Sequence, residues 1–164
     1  MLRSKEMSLD MSQVTANMKR LDQVVMPAKI RAGLTAAGTK FMRDTVTGLP
    51  TMPIHRPGYP TGDIRLPGEL RASGALFVDG VKKRTTTQYG EGATGKYQPE
   101  TYGGTPIPKL SHEACVVFNA PYAASQHESF PSKTEPGAGR YFMSTKLYGN
   151  AVEYMGIVME AIKL

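Results

Sequence analysis

Five prolines fall between Leu49 and Gly68: Pro50, Pro53, Pro57, Pro60 and Pro67. Each fixes its own φ and removes a backbone donor, so neither a helix nor an interior strand can run through the stretch. Residues 49–68 therefore read as an extended, partly polyproline-like excursion that is not a core element. Helical patterning lies before it and sheet patterning after it.

Before the prolines, Asp10 and Gln13 resemble a capping box, in which each side chain satisfies an orphan helix N–H. Met11, Val14, Met18, Leu21 and Val25 then recur at spacings of three and four, which is one face of a helix. Pro27 cannot continue that helix without losing a backbone bond, so the sequence predicts a break or kink there, or the start of a second helix. The second helix spans about Ala28 to Thr45, with Ile30, Leu34, Ala37, Phe41 and Val46 on its buried face. Gly33, Ala36, Ala37 and Gly38 are small enough to let another backbone come close. Gly48-Leu49-Pro50 stops the helix, so the helical part covers about residues 10–47.

After the prolines, Leu70–Val81 resumes order. Ala75, Phe77 and Val81 alternate, while Leu76 and Val78 fill the other face, so both faces of this strand are expected to be covered. Asp79-Gly80 is a turn signal, and the basic run Lys82-Lys83-Arg84-Thr85-Thr86-Thr87 continues a hairpin. Residues 88–113 are rich in Gly, Tyr and Thr and lack apolar periodicity, which marks a long loop of the functional or mobile kind. Ala114–Phe118 is the clearest strand, and a polar-aromatic turn, Ala120–Glu128, and a Pro/Gly loop, 129–139, follow it.

A last helix is predicted over about 142–162. Met143, Leu147, Ala151, Tyr154/Met155, Val158 and Ile162 form a stripe, which Phe142, Tyr148, Val152 and Met159 widen. Lys146, Asn150, Glu153, Glu160 and Lys163 mark a narrow wet side. The stripe is wider than one surface helix needs, so this helix is expected to be gripped on two sides, by its own sheet and by a neighbour. The resulting class is α+β in one domain of 164 residues: two N-terminal helices, a small mixed or antiparallel sheet with long loops, and a C-terminal amphipathic helix packed on the sheet.

A chain of this length can bury a core without disulfides, and Cys115 is its one cysteine, set in an apolar run as an inert thiol. Met1-Leu2-Arg3-Ser4-Lys5 lacks the apolar stretch of a signal peptide, and no apolar run reaches the length of a membrane span, so a cytoplasm-like compartment is expected. The formal net charge is +6. The excess lies before Ala114, and it suits nucleic acid or an acidic partner, although solubility alone accounts for it.

Chemistry-bearing patterns are missing. His55, His112 and His127 match no zinc spacing. There is no Gly-x-Ser-x-Gly, no phosphate loop and no His-Glu-x-x-His, so no enzyme, metal or cofactor is expected. Gly90-Glu91-Gly92-Ala93-Thr94-Gly95-Lys96 mimics a phosphate loop, but Tyr97 follows the lysine and no helix opens there. Asp63, Glu69 and Asp79 do not pair at a spacing that suits acid/base work. Lys82, Lys83, Arg84 and Lys96 can contact phosphates, with Tyr89, Tyr97 and Tyr102 stacking on bases, which defines an alternative as a small basic nucleic-acid-binding module. The simpler reading of the same residues is a solvated hairpin tip.

Taken in order, the segments resemble the head–tail joining proteins of long-tailed bacteriophages, the neck or tail-completion proteins also described as minor capsid components. The resemblance rests on the two opening helices, on Thr61-Gly62 and Leu70-Arg71-Ala72-Ser73, and on Val117-Phe118-Asn119 followed by Tyr122-Ala123 and His127-Glu128. It ends with Gly139-Arg140-Tyr141-Phe142 entering the last helix. The chain departs from the family in the Pro-rich insert between Leu49 and Ile64 and in the long loop from Gln88 to Glu113.

The resemblance implies a structural virion protein, assembled in the host cytoplasm, that closes into a ring of six or twelve copies by head-to-tail contacts. Its partners would be itself, the portal or connector, and the tail-terminator or tail-tube proteins, with genomic DNA in the lumen bound without sequence specificity and no membrane. Tail terminator and head closure are neighbouring roles in the same neck. Subunit or partner contacts would fall on Tyr122, His127, Glu128, Arg140, Tyr141, Phe142 and Tyr148, with Glu128 and Arg140 able to pair within or between subunits. Lys82, Lys83, Arg84 and Lys96 would face DNA.

Overall fold

A computed structural model describes residues 12–54, 68–90, 93–100, 112–129 and 137–163. The expectations for Asp10, His55, Thr61-Gly62, Tyr102 and parts of the loops 88–113 and 129–139 fall outside these residues.

Helix α1 (Ser12–Arg20) runs through a π turn, Leu21–Val25, into α2 (Met26–Thr47). The break expected at Pro27 is therefore a widened turn, in which the Met26 N–H bonds the Leu21 carbonyl. A helical proline lacks its own donor and presses on the carbonyl four residues back. Widening the preceding turn relieves that pressure without leaving the helix. Pro27 itself sits in the first turn of α2, where its missing N–H costs little.

Beyond the excursion come α3 (Glu69–Ala72), β1 (Gly74–Val78), β2 (Val81–Thr85) and β3 (Ala114–Phe118). The sheet is antiparallel with order β2-β1-β3. Asp79 and Gly80 both take positive φ, 51° and 76°, the geometry of a tight hairpin turn between β1 and β2. Every residue of the central strand β1 is buried, as the two-faced apolar pattern predicts. Gly74 opens it because a Cβ there would lie 2.6 Å from both Phe118 Cε1 and Thr86 Oγ1. The Leu70-Arg71-Ala72-Ser73 element forms α3 and the step into β1, with the Ser73 hydroxyl donating to the Leu70 carbonyl at 2.8 Å.

After β3 come α4 (Ala123–Ser129), α5 (Phe142–Gly149) and α6 (Ala151–Ile162). The single C-terminal helix expected from periodicity is bent at Asn150, which leaves the helical region at φ −113° and ψ 16°. Gly149 supplies the weak point, since glycine is the costliest interior helix residue after proline. Hydrogen bonds from Asn150 N to Lys146 O and from Tyr154 N to Asn150 O keep the two pieces in series.

Helix α2 organises the core by contributing to all three apolar clusters. Val46 joins Met52, Leu70, Ala120 and Phe142; Ala37 and Phe41 join Tyr154 and Val158; Met42 joins Leu76 and Val78. The C-terminal helix, expected on the sheet, lies mainly against α2 and meets the sheet through Val116. Gly33 makes this possible, because a Cβ there would sit 3.0 Å from the Val158 Cα and 3.1 Å from the Ala161 Cβ. Polar contacts fix the same seam. The Tyr154 hydroxyl donates to Asp44 Oδ2 at 3.1 Å, and Lys40 Nζ reaches Asp44 Oδ2 at 2.7 Å and Glu153 Oε1 at 3.2 Å.

Two side chains sit opposite to expectation. Met52, inside the Pro-rich segment, is 0% exposed, so the start of that excursion is part of the core. An unbranched thioether fills an irregular gap that a branched chain would not. Thr51 bridges to Ala138 and so ties this segment to the entry of α5. Lys146, placed on the wet side by its charge, is 5% exposed. Its ammonium donates to the Leu49 carbonyl, just past the end of α2, where unpaired carbonyls and the helix dipole favour a cation. Burial pushes its pKa down, against the opposing pull of Asp44.

Candidate interaction surfaces

The polar-aromatic turn and the entry to α5 form one joint. The His127 imidazole Nε2 lies 2.9 Å from Ser144 Oγ, and its carbonyl accepts from the Tyr141 N–H at 2.8 Å. The ring meets Phe142 and Tyr141 edge-on, at centroid distances of 4.8 and 5.7 Å. Burial lowers the His127 pKa, with Glu128 pulling the other way. Tyr141 is held at φ 58°, a left-handed conformation that a bulky residue adopts only when its surroundings impose it.

A serine against a histidine invites a nucleophilic reading. Here Nδ1 is buried without a hydrogen-bond partner, so no carboxylate orients the ring as a triad requires. The pair latches α4 to α5. Nothing in the sequence spacing of these two residues signals the contact, because it depends on how the loop between them closes.

The seven residues predicted to make contacts separate into three groups. Glu128, Arg140, Tyr141 and Tyr148 are exposed. Tyr122 and His127 are half-buried, with Tyr122 edge-on to Tyr97 at 6.3 Å. Phe142 is a correction: at 1% exposure it is a core residue with no surface to offer a partner. The pairing of Glu128 with Arg140 is not made within the chain, and the Arg140 guanidinium lies over the Tyr141 ring at 5.7 Å.

Apolar exposure falls mainly on α5–α6 and on α1 with the π turn. Tyr148, Val152, Met155 and Met159 are 80%, 88%, 59% and 58% exposed. Val152, Met155 and Met159 recur at three and four along α6 and so share one face, and Tyr148 lies one turn before them, across the bend at Asn150. The opposite side is taken up by Tyr154 and Val158 against α2. A helix apolar on both sides is what the over-wide stripe predicts, and the second side is bare among the described residues.

The basic run is less coherent than its sequence suggests. Leu76 pairs with Arg84 and Phe77 with Lys82, with a bulge between them. Adjacent β1 residues point to opposite faces, and paired residues share a face, so Lys82 and Arg84 project from opposite sides of the sheet. Lys82 Nζ lies 3.9 Å from Glu100, and Lys96 Nζ lies over the Tyr97 ring at 4.7 Å. Charges and a bulge on an edge strand also block unwanted strand pairing. The described part of the following loop is anchored to α3. Glu69 Oε1 accepts from the Thr94 N–H at 2.7 Å and from its hydroxyl at 2.5 Å.

At the hairpin tip Asp79 gathers three partners: Arg31 Nε at 2.6 Å, the Glu113 N–H at 3.2 Å and His112 Nδ1 at 3.4 Å. Partial burial pushes its pKa up, but these hydrogen bonds outweigh it and hold the carboxyl below its ordinary value near 3.8. The folded state therefore binds the proton less readily than the unfolded chain. The stabilisation is fully present above about pH 4 and is lost as pH falls through the folded pKa. Asp79→Asn keeps a residue that tolerates the left-handed turn. It is expected to cost about 1 kcal/mol or less at neutral pH, with the difference from the parent shrinking as pH falls through the folded pKa. Urea unfolding across a pH series checks this, and a difference that persists in acid assigns the effect to the turn instead.

Among the described residues, no group of three or more His, Cys, Asp or Glu can hold a metal ion, and no helix is long and apolar enough to cross a membrane. Comparison of the chain with protein-family models, with curated proteins and with solved structures finds no match.

Proposed function

We propose that this protein is a structural subunit of the neck of a tailed-phage virion. Copies join head to tail in a closed ring between the portal or connector and the tail, around the DNA channel. The observation that carries the reading is the bare stripe of Tyr148, Val152, Met155 and Met159 on a helix whose other side is already committed to α2. Soluble monomers rarely leave so long a row of large apolar side chains in water, and such patches mark interaction surfaces. The order of elements that resembles head–tail joining proteins supplies the biological class. The split basic run gives the alternative nucleic-acid module less support than a single basic face would, and suits a wall near DNA.

Light scattering and negative-stain electron microscopy of the purified chain, alone and mixed with heads lacking tails, test this reading. The expected result is a ring of defined mass that attaches to heads. A monodisperse monomer that joins neither heads nor tails overturns it.

A further inference from the structure

A second apolar face lies at the other end of the chain. Val14, Met18, Leu21 and Val24 are all exposed, and every described side chain of α1 and the first four of the π turn face solvent. The backbone of α1 is carried on from α2 through the π turn, yet among the described residues nothing covers this apolar stripe. Three features match it to α5–α6. Val14, Met18 and Leu21 are spaced by four and three, as are Tyr148, Val152 and Met155, so both stripes repeat at the period of a helix–helix seam. Helix α1 ends in Lys19 and Arg20, with Asp22 following in the π turn, and the only charges within α6 are Glu153 and Glu160, so the docking segment is basic on balance and α6 is acidic. Glu153 also pairs with Lys40 and Glu160 with Lys163, but more than half of each glutamate side chain remains in solvent. Finally, a Cβ on Gly149 or on Gly156 would meet nothing within 4 Å. These two helical glycines, seven residues apart, serve no packing inside the chain, and without side chains they do not obstruct an approaching backbone.

We infer that α1 of one copy docks on the α5–α6 stripe of the next copy, using Val14, Met18 and Leu21 against Tyr148, Val152 and Met155, with Lys19 and Arg20 toward Glu153 and Glu160. The contact is heterologous, since the two surfaces differ, and it propagates from copy to copy. It rests on the reading that copies associate, and it names the faces that do so.

Cysteine pairing tests it. Met18→Cys lies at the middle of its stripe and Met155→Cys one helical turn from Val152, so the two thiols come within about one turn of each other whether the helices run parallel or antiparallel. Under mild oxidation a mixture of the two variants is expected to form the interchain disulfide at least tenfold faster than either alone, with the unsubstituted chain as control for Cys115. Light scattering on the same samples reports mass. Faster pairing of Met155→Cys with itself overturns the inference in favour of a two-fold contact. An internal disulfide in the Met18→Cys/Met155→Cys double variant overturns it in favour of α1 folding back on its own chain. A ring without the mixed disulfide overturns the inference and leaves the ring. Open chains or dimers that carry the disulfide support the inference and overturn the closed ring. A monomer without it overturns both.

Discussion

Phe142→Ala is expected to destabilise the protein by about 3–5 kcal/mol, the range for truncating a buried aromatic side chain. The ring is 1% exposed and belongs to a cluster drawn from four other parts of the chain: Val46 at the end of α2, Met52 in the Pro-rich segment, Leu70 in α3 and Ala120 after β3. It also holds the His127 ring edge-on at 4.8 Å. Those elements are joined by different loops and cannot close together over the vacated volume, so the cavity persists and its cost adds to the lost transfer energy. Chemical denaturation measures the effect, with an unchanged m-value showing that the same cooperative unit unfolds. Tyr148→Ala is the matched control. At 80% exposure it should shift stability by no more than about 0.5 kcal/mol. A Phe142 variant that keeps its stability but loses association would return this residue to the surface.

Phe142 and Tyr148 also mark how far a sequence can be read. Both widen the same predicted stripe, and helical periodicity alone cannot say which side of an over-wide stripe meets the chain's own core. That choice is made by Gly33, which lets the backbone of α6 approach α2 near Val158. The small residues of α2 signal a close approach without naming the partner. Elements set by short-range rules were legible: Ala114–Phe118 has the predicted bounds, Asp79-Gly80 forms the hairpin turn, and β1 is covered on both faces. Elements set by long-range contacts were not. Lys146 looks solvated on a helical wheel, yet it lies buried against the carbonyl of Leu49, far away in sequence. Met52 looks excluded from the core by its prolines, yet it is anchored where its carbonyl receives the Arg71 guanidinium. His127 and Ser144, or Arg31 and Asp79, meet only once the loops between them have closed. The joint at Gly139–Phe142 was legible as a helix entry, whereas the left-handed Tyr141 that forms it was not.

Val152→Lys is expected to weaken self-association by about two orders of magnitude or more while leaving the monomer folded. Val152 is 88% exposed, so a lysine there stays hydrated in the free chain. Lysine is also the better helix former, so α6 itself is not weakened. Once the stripe is covered, the ammonium must lose its water without a partner, which costs about 3 kcal/mol or more. That loss corresponds to about a hundredfold in dissociation constant. Sedimentation velocity over a concentration series reads it directly, and thermal unfolding confirms the fold. The sign of the introduced charge carries further information. If α1 of the next copy brings Lys19 and Arg20 to this stripe, lysine at 152 adds like-charge repulsion to desolvation. Val152→Glu would meet those same cations and recover part of its desolvation cost, so it should lose less affinity than Val152→Lys, with the gap narrowing as salt rises. Equal losses at both charges would place an uncharged partner on the stripe, and no loss at either would put the subunit contact on another face of the molecule.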